Sequence, residues 1–342
     1  MMIRKKALGL TAVAVAAALV LAACSSTGGA AANSSTEAAP AGGTGTAAAG
    51  GGAVADTPNF TVAMITHETP GDTFWDKIRS GAEAAAAKDN ITLKYSNDPS
   101  AVGQATLIQN AVDSKVDGIA STLVTPDALA GAVKTATDAG IPVVGFNSGI
   151  DAWKELGALT YFGSDENLAG NAVGERISAA GSKHPLCVIQ AEGSVALEAR
   201  CAGVLGKAPA TENLQVNGAD IAAVTSTIQA KLQQDPSIDY IVTLGAPIAL
   251  AAVQAASDGG SSAKVVTFDL NADVAKDIKA GTIGFSVDQQ PYLQGYEAVD
   301  QLWLYLTNGN VLGGGLPVLT GPSFVDESNI DLVLKGAEAG TR

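Results

Sequence analysis

The chain has 342 residues, 47% of them hydrophobic and 16% charged, with 34 acidic against 20 basic residues and a formal charge of −14 at pH 7. So acidic a surface repels nucleic acid, and the basic run at the amino end has no counterpart further along, so no nucleic-acid partner is expected. Two histidines and three cysteines, with no clustered Cys/His spacing, give no expectation of a metal or other cofactor.

Taken in chain order, Arg4, Lys5 and Lys6 form a basic head and residues 7–22 an apolar stretch ending in small residues. This is the pattern of an export signal over residues 1–23, and it is shorter than the roughly 20 apolar residues a spanning helix requires. The sequence Leu21-Ala22-Ala23-Cys24 resembles the bacterial lipobox, which implies cleavage before Cys24 and lipidation of its sulfur. Two or more acyl chains on one residue give stable anchoring to a membrane. Residues 24–58 are rich in Gly, Ala, Ser and Thr and hold no aromatic residue, so they cannot bury enough surface to offset the entropy of ordering. They read as a tether that holds a folded body clear of the bilayer.

Folded sequence starts near Phe60, and enough chain follows for a large core and more than one lobe. β-Branched runs alternate with amphipathic stretches: FTVAMIT (60–66) precedes a helix from about 72 to 88, ITLKYS (91–96) one at 102–115, and DGIAST (117–122) one at 128–139, before IPVVGFN at 141–147. Short strands alternating with helices long enough to cross back over a sheet predict a doubly wound, Rossmann-like α/β lobe with a parallel sheet. The plan repeats with LCVIQAE (186–192), DYIVTL (239–244), KVVTF (264–268) and IGFSV (283–287), separated by helices near 195–205, 222–234, 247–257 and 273–280. Two such lobes predict a ligand cleft between them, lined by residues beyond the carboxyl ends of the strands.

Those residues share a chemistry. FTVAMIT leads to Thr66, His67, Asp72, Phe74 and Trp75; IPVVGF leads to Asn147 and Ser148; CVIQAE is followed by Arg200; KVVTF runs into Asp269, and IGFSV into Gln289. Carboxylate, amide and guanidinium groups bind adjacent hydroxyls in pairs, and aromatic faces cover the C–H surface of a sugar. The set predicts a neutral sugar or polyol as ligand.

On DTFWDKIRSGAEAAA, VDGIASTLVTPDALAGAVKTATDAGIPVVGFNS, GSDENLAGNAVGERI, LEARCAG, VVTFDLNADVAKDIKAGTI and VDQQPYLQGYEAVD, the chain resembles the type I periplasmic binding proteins. The resemblance is to their ribose- and galactose-binding group and runs from about 60 to 330. It implies a receptor of an ABC importer that delivers its ligand to a membrane permease, most simply as a monomer on the outer face of the bacterial cytoplasmic membrane. It also implies a three-stranded hinge near 162–165, 289–291 and 320–322, with an N-terminal lobe of residues 59–162 plus 290–320 and a C-terminal lobe of 163–289 plus 321–342. Carried over, Phe74 and Trp75 match the family's aromatic pair, Arg200 its binding arginine, Asp269 the carboxylate after the VVTF strand, and Gln289 the hinge amide. Asn147 and Ser148 stand where the group commonly has Asp and Arg, and Gly245-Ala246-Pro247 where it often has Asn-Asp. These departures point away from ribose itself.

No nucleophile elbow, phosphate loop or paired nucleophile and base is present, so no enzyme is expected. A sensory receptor that passes its closed form to a membrane signalling partner is the alternative to a transport role. Asp127 and Asp220 each precede a periodic apolar stretch and are expected as helix caps. Cys187 and Cys201 lie in exported sequence, at the start of a strand and in the helix that returns beside it, and either form a disulfide or sit as two buried thiols.

Overall fold

The computed structural model describes residues 54–68 and 73–342; the signal, Cys24, most of the tether and Asp72 lie outside the described residues. The first half runs β1 (Phe60–Thr66), α1 (Phe74–Lys88), β2 (Ile91–Asn97), α2 (Ala101–Asp113), β3 (Gly118–Thr122), α3 (Pro126–Asp138), β4 (Val143–Phe146) and β5 (Tyr161–Gly163). Next come α4 (Glu166–Ala179), β6 (Pro185–Ile189), α5 (Val195–Lys207), β7 (Glu212–Gln215), α6 (Ile221–Gln234), β8 (Tyr240–Thr243), α7 (Ala246–Gly259), β9 (Lys264–Phe268), α8 (Ala272–Ala280) and β10 (Ile283–Asp288). The chain ends with α9 (Pro291–Asn308), β11 (Val318–Leu319), β12 (Ser323–Val325) and α10 (Ile330–Glu338).

Among the described residues the strands form two six-stranded sheets, ordered β2-β1-β3-β4-β5-β11 and β7-β6-β8-β9-β10-β12. The first is parallel throughout, and in the second only β12 is antiparallel, against β10. The two lobes therefore share one α/β topology. The chain passes between sheets after β5, after β10 and between β11 and β12, which gives three adjacent crossings.

Both faces of each sheet are covered, which explains why the central strands read as continuous apolar runs rather than alternating ones. Along β1, Val62 and Met64 pack with Trp75, Ile78 and Val299 on one face, while Ala63 and Ile65 pack with Ile108, Leu129 and Val133 on the other. Along β6, Leu186 and Val188 face Val224 and Ile228, and Cys187 and Ile189 face Val173 and Cys201. Cys187 and Cys201 are joined in a disulfide, with their Cα atoms 5.9 Å apart.

In each lobe one helix pair touches backbone to backbone through glycine. A Cβ on Gly295 of α9 would fall 1.9 Å from the Ile78 carbonyl oxygen of α1, and one on Gly170 of α4 would fall 2.0 Å from the Arg200 carbonyl oxygen of α5. Asp220 caps α6, its side chain accepting from the Ala223 amide. The Asp127 expectation is corrected: Thr125 is the cap residue of α3, Pro126 opens the helix, and Asp127 lies in its first turn. Proline is favoured at that opening position because it has no amide hydrogen to leave unpaired.

Candidate functional site

The carboxyl ends of β4, β9 and β10 meet at one hydrogen-bonded cluster. Gln289 donates from Nε2 to Asp269 Oδ1 at 2.8 Å, while its Oε1 accepts from Gln294 Nε2 at 3.1 Å and from Asn147 Nδ2 at 3.5 Å. Asn147 Nδ2 also donates to Gln294 Oε1 at 3.1 Å, and Ser148 Oγ donates to Asn147 Oδ1 at 3.1 Å. Gln294 continues to the Gln289 carbonyl and to Thr320 Oγ1, and the amides of Asn147 and Thr320 donate to the Phe162 and Gly163 carbonyls of β5, so the segments that follow β10 and β11 and the end of β5 are tied into the cluster. Asn147, Asp269 and Gln290 adopt left-handed backbone conformations, with φ of 62°, 64° and 56°. For non-glycine residues that conformation is costly and is held only where surrounding contacts enforce it, as these bonds do.

Burial pushes the Asp269 carboxyl up to about 6, with Asp288 and Glu166 adding to the rise, although Arg200 and the Gln289 bond pull the other way. Its one side-chain hydrogen bond among the described residues is made through Oδ1, which leaves Oδ2 as an acceptor. Arg200 is 4% exposed. It donates from Nε and Nη2 to the Glu166 carboxylate and from Nη1 to the Leu244 carbonyl at 3.3 Å, and its guanidinium lies over the Phe268 ring at 4.9 Å. Burial alone would lower the Arg200 pKa; the Glu166 carboxylate more than reverses this, by charge and by hydrogen bonding.

In the other lobe Phe74 and Trp75 open α1, so both lie in its first turn, the one place where consecutive helical residues can reach a common cleft. Trp75 packs edge-on against Phe74, with ring centres 5.3 Å apart, and against His67 at 4.7 Å. His67 Nδ1 lies 2.9 Å from Thr122 Oγ1, which itself receives Gln104 Nε2 at 2.7 Å. Gln104 Nε2 also bonds the Thr122 carbonyl, which fixes the orientation of its amide. The ring tautomer decides which of Thr122 Oγ1 and His67 Nδ1 donates in this bond. Burial lowers the His67 pKa to about 4, so the ring is neutral.

Thr66 is turned elsewhere. It lies 3.3 Å from the Tyr95 hydroxyl, which donates onward to Glu68 at 2.9 Å. The structure thus brings Asn147, Ser148, Asp269 and Gln289 into one network and His67, Phe74 and Trp75 into one aromatic cluster, with Arg200 beside Asp269. Glu166, Gln190, Gln294, Thr122 and Thr320 were not expected. Gln190 follows β6 and donates to the Leu244 carbonyl at 3.2 Å, while its buried Oε1 has no partner among the described residues. A Cβ on Gly245 would lie 3.0 Å from Gln190 Nε2, so the missing Asn-Asp side chains after β8 leave the space Gln190 occupies. Gln190 was legible as a polar residue at a strand's carboxyl end; Glu166 gave no signal, because the helix it opens was not marked in the sequence.

As for a metal, His184, Glu212 and Asp235 place ligand atoms within 4.8 Å of one another among the described residues. Glu212 already holds Lys231 Nζ at 2.5 Å and His184 Nε2 at 3.0 Å, which makes this group an ion-pair network.

Comparison with known proteins bears on this arrangement. A family description reading "Periplasmic binding protein domain" matches residues 62–310. A carbohydrate transporter from Acidothermus cellulolyticus 11B, solved in complex with myo-inositol, is 60% identical, covers 83% of this chain and 100% of its own, and superposes with a TM-score of 0.81. A solute-binding protein of an ABC transporter from Agrobacterium vitis, bound with α-D-tagatopyranose, is 26% identical over 82% of this chain and 98% of its own, with a TM-score of 0.68. A xylose/arabinose-binding protein from Sulfolobus acidocaldarius is 26% identical over 301 residues, 81% of this chain and 73% of the relative.

Proposed function

This chain belongs to the periplasmic binding protein family, whose members are extracytoplasmic and bind rather than transform their ligands, and from that premise we propose that it captures a neutral sugar or polyol between its lobes for an ABC importer. It is not an enzyme. The observation that carries the reading is the amide of Gln289, bonded at once to Asp269 beyond β9 of one sheet and to Asn147 beyond β4 of the other. A ligand bonded to Asp269 therefore acts directly on the groups that join the lobes.

In this reading Asp269 Oδ2 and Gln190 Oε1 accept from ligand hydroxyls, and Arg200 donates. Phe74 and Trp75 cover the apolar face of the ring. Ser148 and Asn147 close the first lobe's side. Thr66 supports the loop through Tyr95 rather than touching ligand. The ligand binds one lobe first and the other closes over it. That hinge motion is driven by no more than the difference in affinity between open and closed states. The closed surface is what a permease would recognise. Cys24, lipidated after cleavage of residues 1–23, would tether the monomer to the outer face of the cytoplasmic membrane, with the polar linker giving it reach.

The 60% identical relative bound to myo-inositol makes that polyol the first ligand to test. Calorimetry and thermal shift on the folded protein with myo-inositol, D-xylose, D-arabinose and D-tagatose should give saturable binding by at least one, and a melting point rising with the logarithm of ligand excess. Binding of amino acids or peptides alone would sink the proposal.

A further inference from the structure

Glu166 is absent from any expectation about the ligand, yet it is the group that engages Arg200 most fully. It is the first residue of α4 and is buried, but it does no capping work: Asp165 accepts from the Leu168 amide at 2.8 Å and so caps the helix. Instead its two carboxylate oxygens take Nε and Nη2 of Arg200 side-on, the second at 3.1 Å. The backbone contact between α4 and α5 is what allows this. A Cβ on Gly203 would fall 2.5 Å from the Asn167 carbonyl oxygen, just as one on Gly170 would strike the Arg200 carbonyl. Glycine at both places lets the first turn of α4 lie against the guanidinium.

We propose that Glu166 is a specificity-determining residue: it holds and electrically cancels the Arg200 guanidinium, so that the cleft accepts neutral polyhydroxyl ligands and rejects carboxylated or phosphorylated ones. The inference rests on the sugar or polyol reading above. Of the five N–H donors of Arg200, three are engaged by Glu166 and Leu244, and two have no protein partner among the described residues. Those two are oriented by the anchored fork and can serve ligand hydroxyls. The charge, by contrast, is already matched. Arg200 shares its surroundings with Glu166 and Asp269, a trio that is negative when Asp269 is ionised and neutral when it is protonated, and positive in neither state. An anionic ligand taken out of water needs a cation to compensate it, and here that cation is occupied. A neutral hydroxyl needs only a donor or an acceptor, and the site offers both.

The test compares myo-inositol with D-glucuronate by calorimetry at neutral pH, on the wild type, Glu166→Gln and Glu166→Asp, with melting points of the ligand-free proteins recorded in parallel. The wild type should bind myo-inositol and discriminate against glucuronate by about a hundredfold or more. Glu166→Gln frees the guanidinium charge and should narrow that ratio by about tenfold, whereas Glu166→Asp, shorter but charged, should keep it. A merely structural role would lower the melting point and leave the ratio unchanged. A folded Glu166→Gln protein with the wild-type ratio overturns the assignment. Should that variant not fold, the wild type decides: glucuronate bound as tightly as myo-inositol refutes the proposal, and rejection of glucuronate supports it. If no neutral sugar or polyol binds the wild type, the sugar reading itself fails, before any variant is made.

Discussion

In the proposed reading, the raised Asp269 carboxyl should make ligand binding pH-dependent within a predictable window. Asp269 is brought to about 6 in the folded protein against 3.8 for the free side chain. A ligand hydroxyl that donates to Oδ2 requires the ionised form, so lowering the pH through that value withdraws the acceptor. At about pH 5 the protonated form exceeds the ionised one by roughly tenfold, and the apparent Kd for myo-inositol should rise by about that factor relative to pH 7.5. Ligand-free stability should move the other way. Because the folded pKa is raised, the cost of the buried charge is fully present above about 6 and disappears as pH falls toward about 4. The Asp269 contribution therefore favours the ligand-free native state at lower pH, while the ligand-induced rise in melting point shrinks. His67, held near 4, stays neutral throughout this window and does not supply the transition. Calorimetry from about pH 7.5 to 5, repeated in buffers of differing ionisation enthalpy, should report proton release on binding near the low end, and Asp269→Asn should bind weakly and without the transition. A wild-type Kd constant within about twofold over that range would refute the reasoning, because Asp269 would then either not titrate there or not touch the ligand.

Gln289→Ala should weaken binding by roughly 10- to 100-fold, since it strips the ligand-facing carboxylate of Asp269 of a buried partner whose loss costs about 1–3 kcal/mol; calorimetry returning the wild-type Kd would remove Gln289 from the coupling between lobes. Replacing both Cys187 and Cys201 by serine opens a link of 14 residues and should cost about 3 kcal/mol of stability, read by denaturant titration, with an unchanged midpoint counting against the bond. Gly295→Val forces a Cβ into the Ile78 carbonyl and should cost at least about 3 kcal/mol; an undiminished melting point would show that α1 and α9 can separate freely.

Much of the architecture was legible in the chain. The runs at 60–66 and 264–268 are apolar on both faces because both faces of each sheet are covered, whereas the edge run at 91–96 exposes Thr92 and Lys94 and buries only Ile91. The helices that announced themselves, such as α3 and α6, carry apolar residues toward a single sheet. Helices α4, α9 and α10 did not, and of these α4 and α9 meet another helix through Gly170 and Gly295. A glycine at such a contact weakens the apolar period that marks a helix in sequence, although it is what lets the two backbones touch. β7 escaped notice because an edge strand of four residues, ENLQ, has little apolar character to display.

The site divides along the same line. Residue types and their places after strands were local properties, so the expectation of a polar cleft suited to hydroxyls rested on the order of strands and the identities of Phe74, Trp75, Arg200, Asp269 and Gln289. Partnership was not local. Thr66 stands at a strand's carboxyl end like the others, yet Tyr95 takes its hydroxyl, and Glu166 meets an arginine 34 residues further along. Which donor faces the ligand and which charge is already matched depend on how helices and strands distant in the chain are packed. Hydrogen bonds and buried charges act over a few ångströms of space, whereas residue order constrains only distance along the backbone.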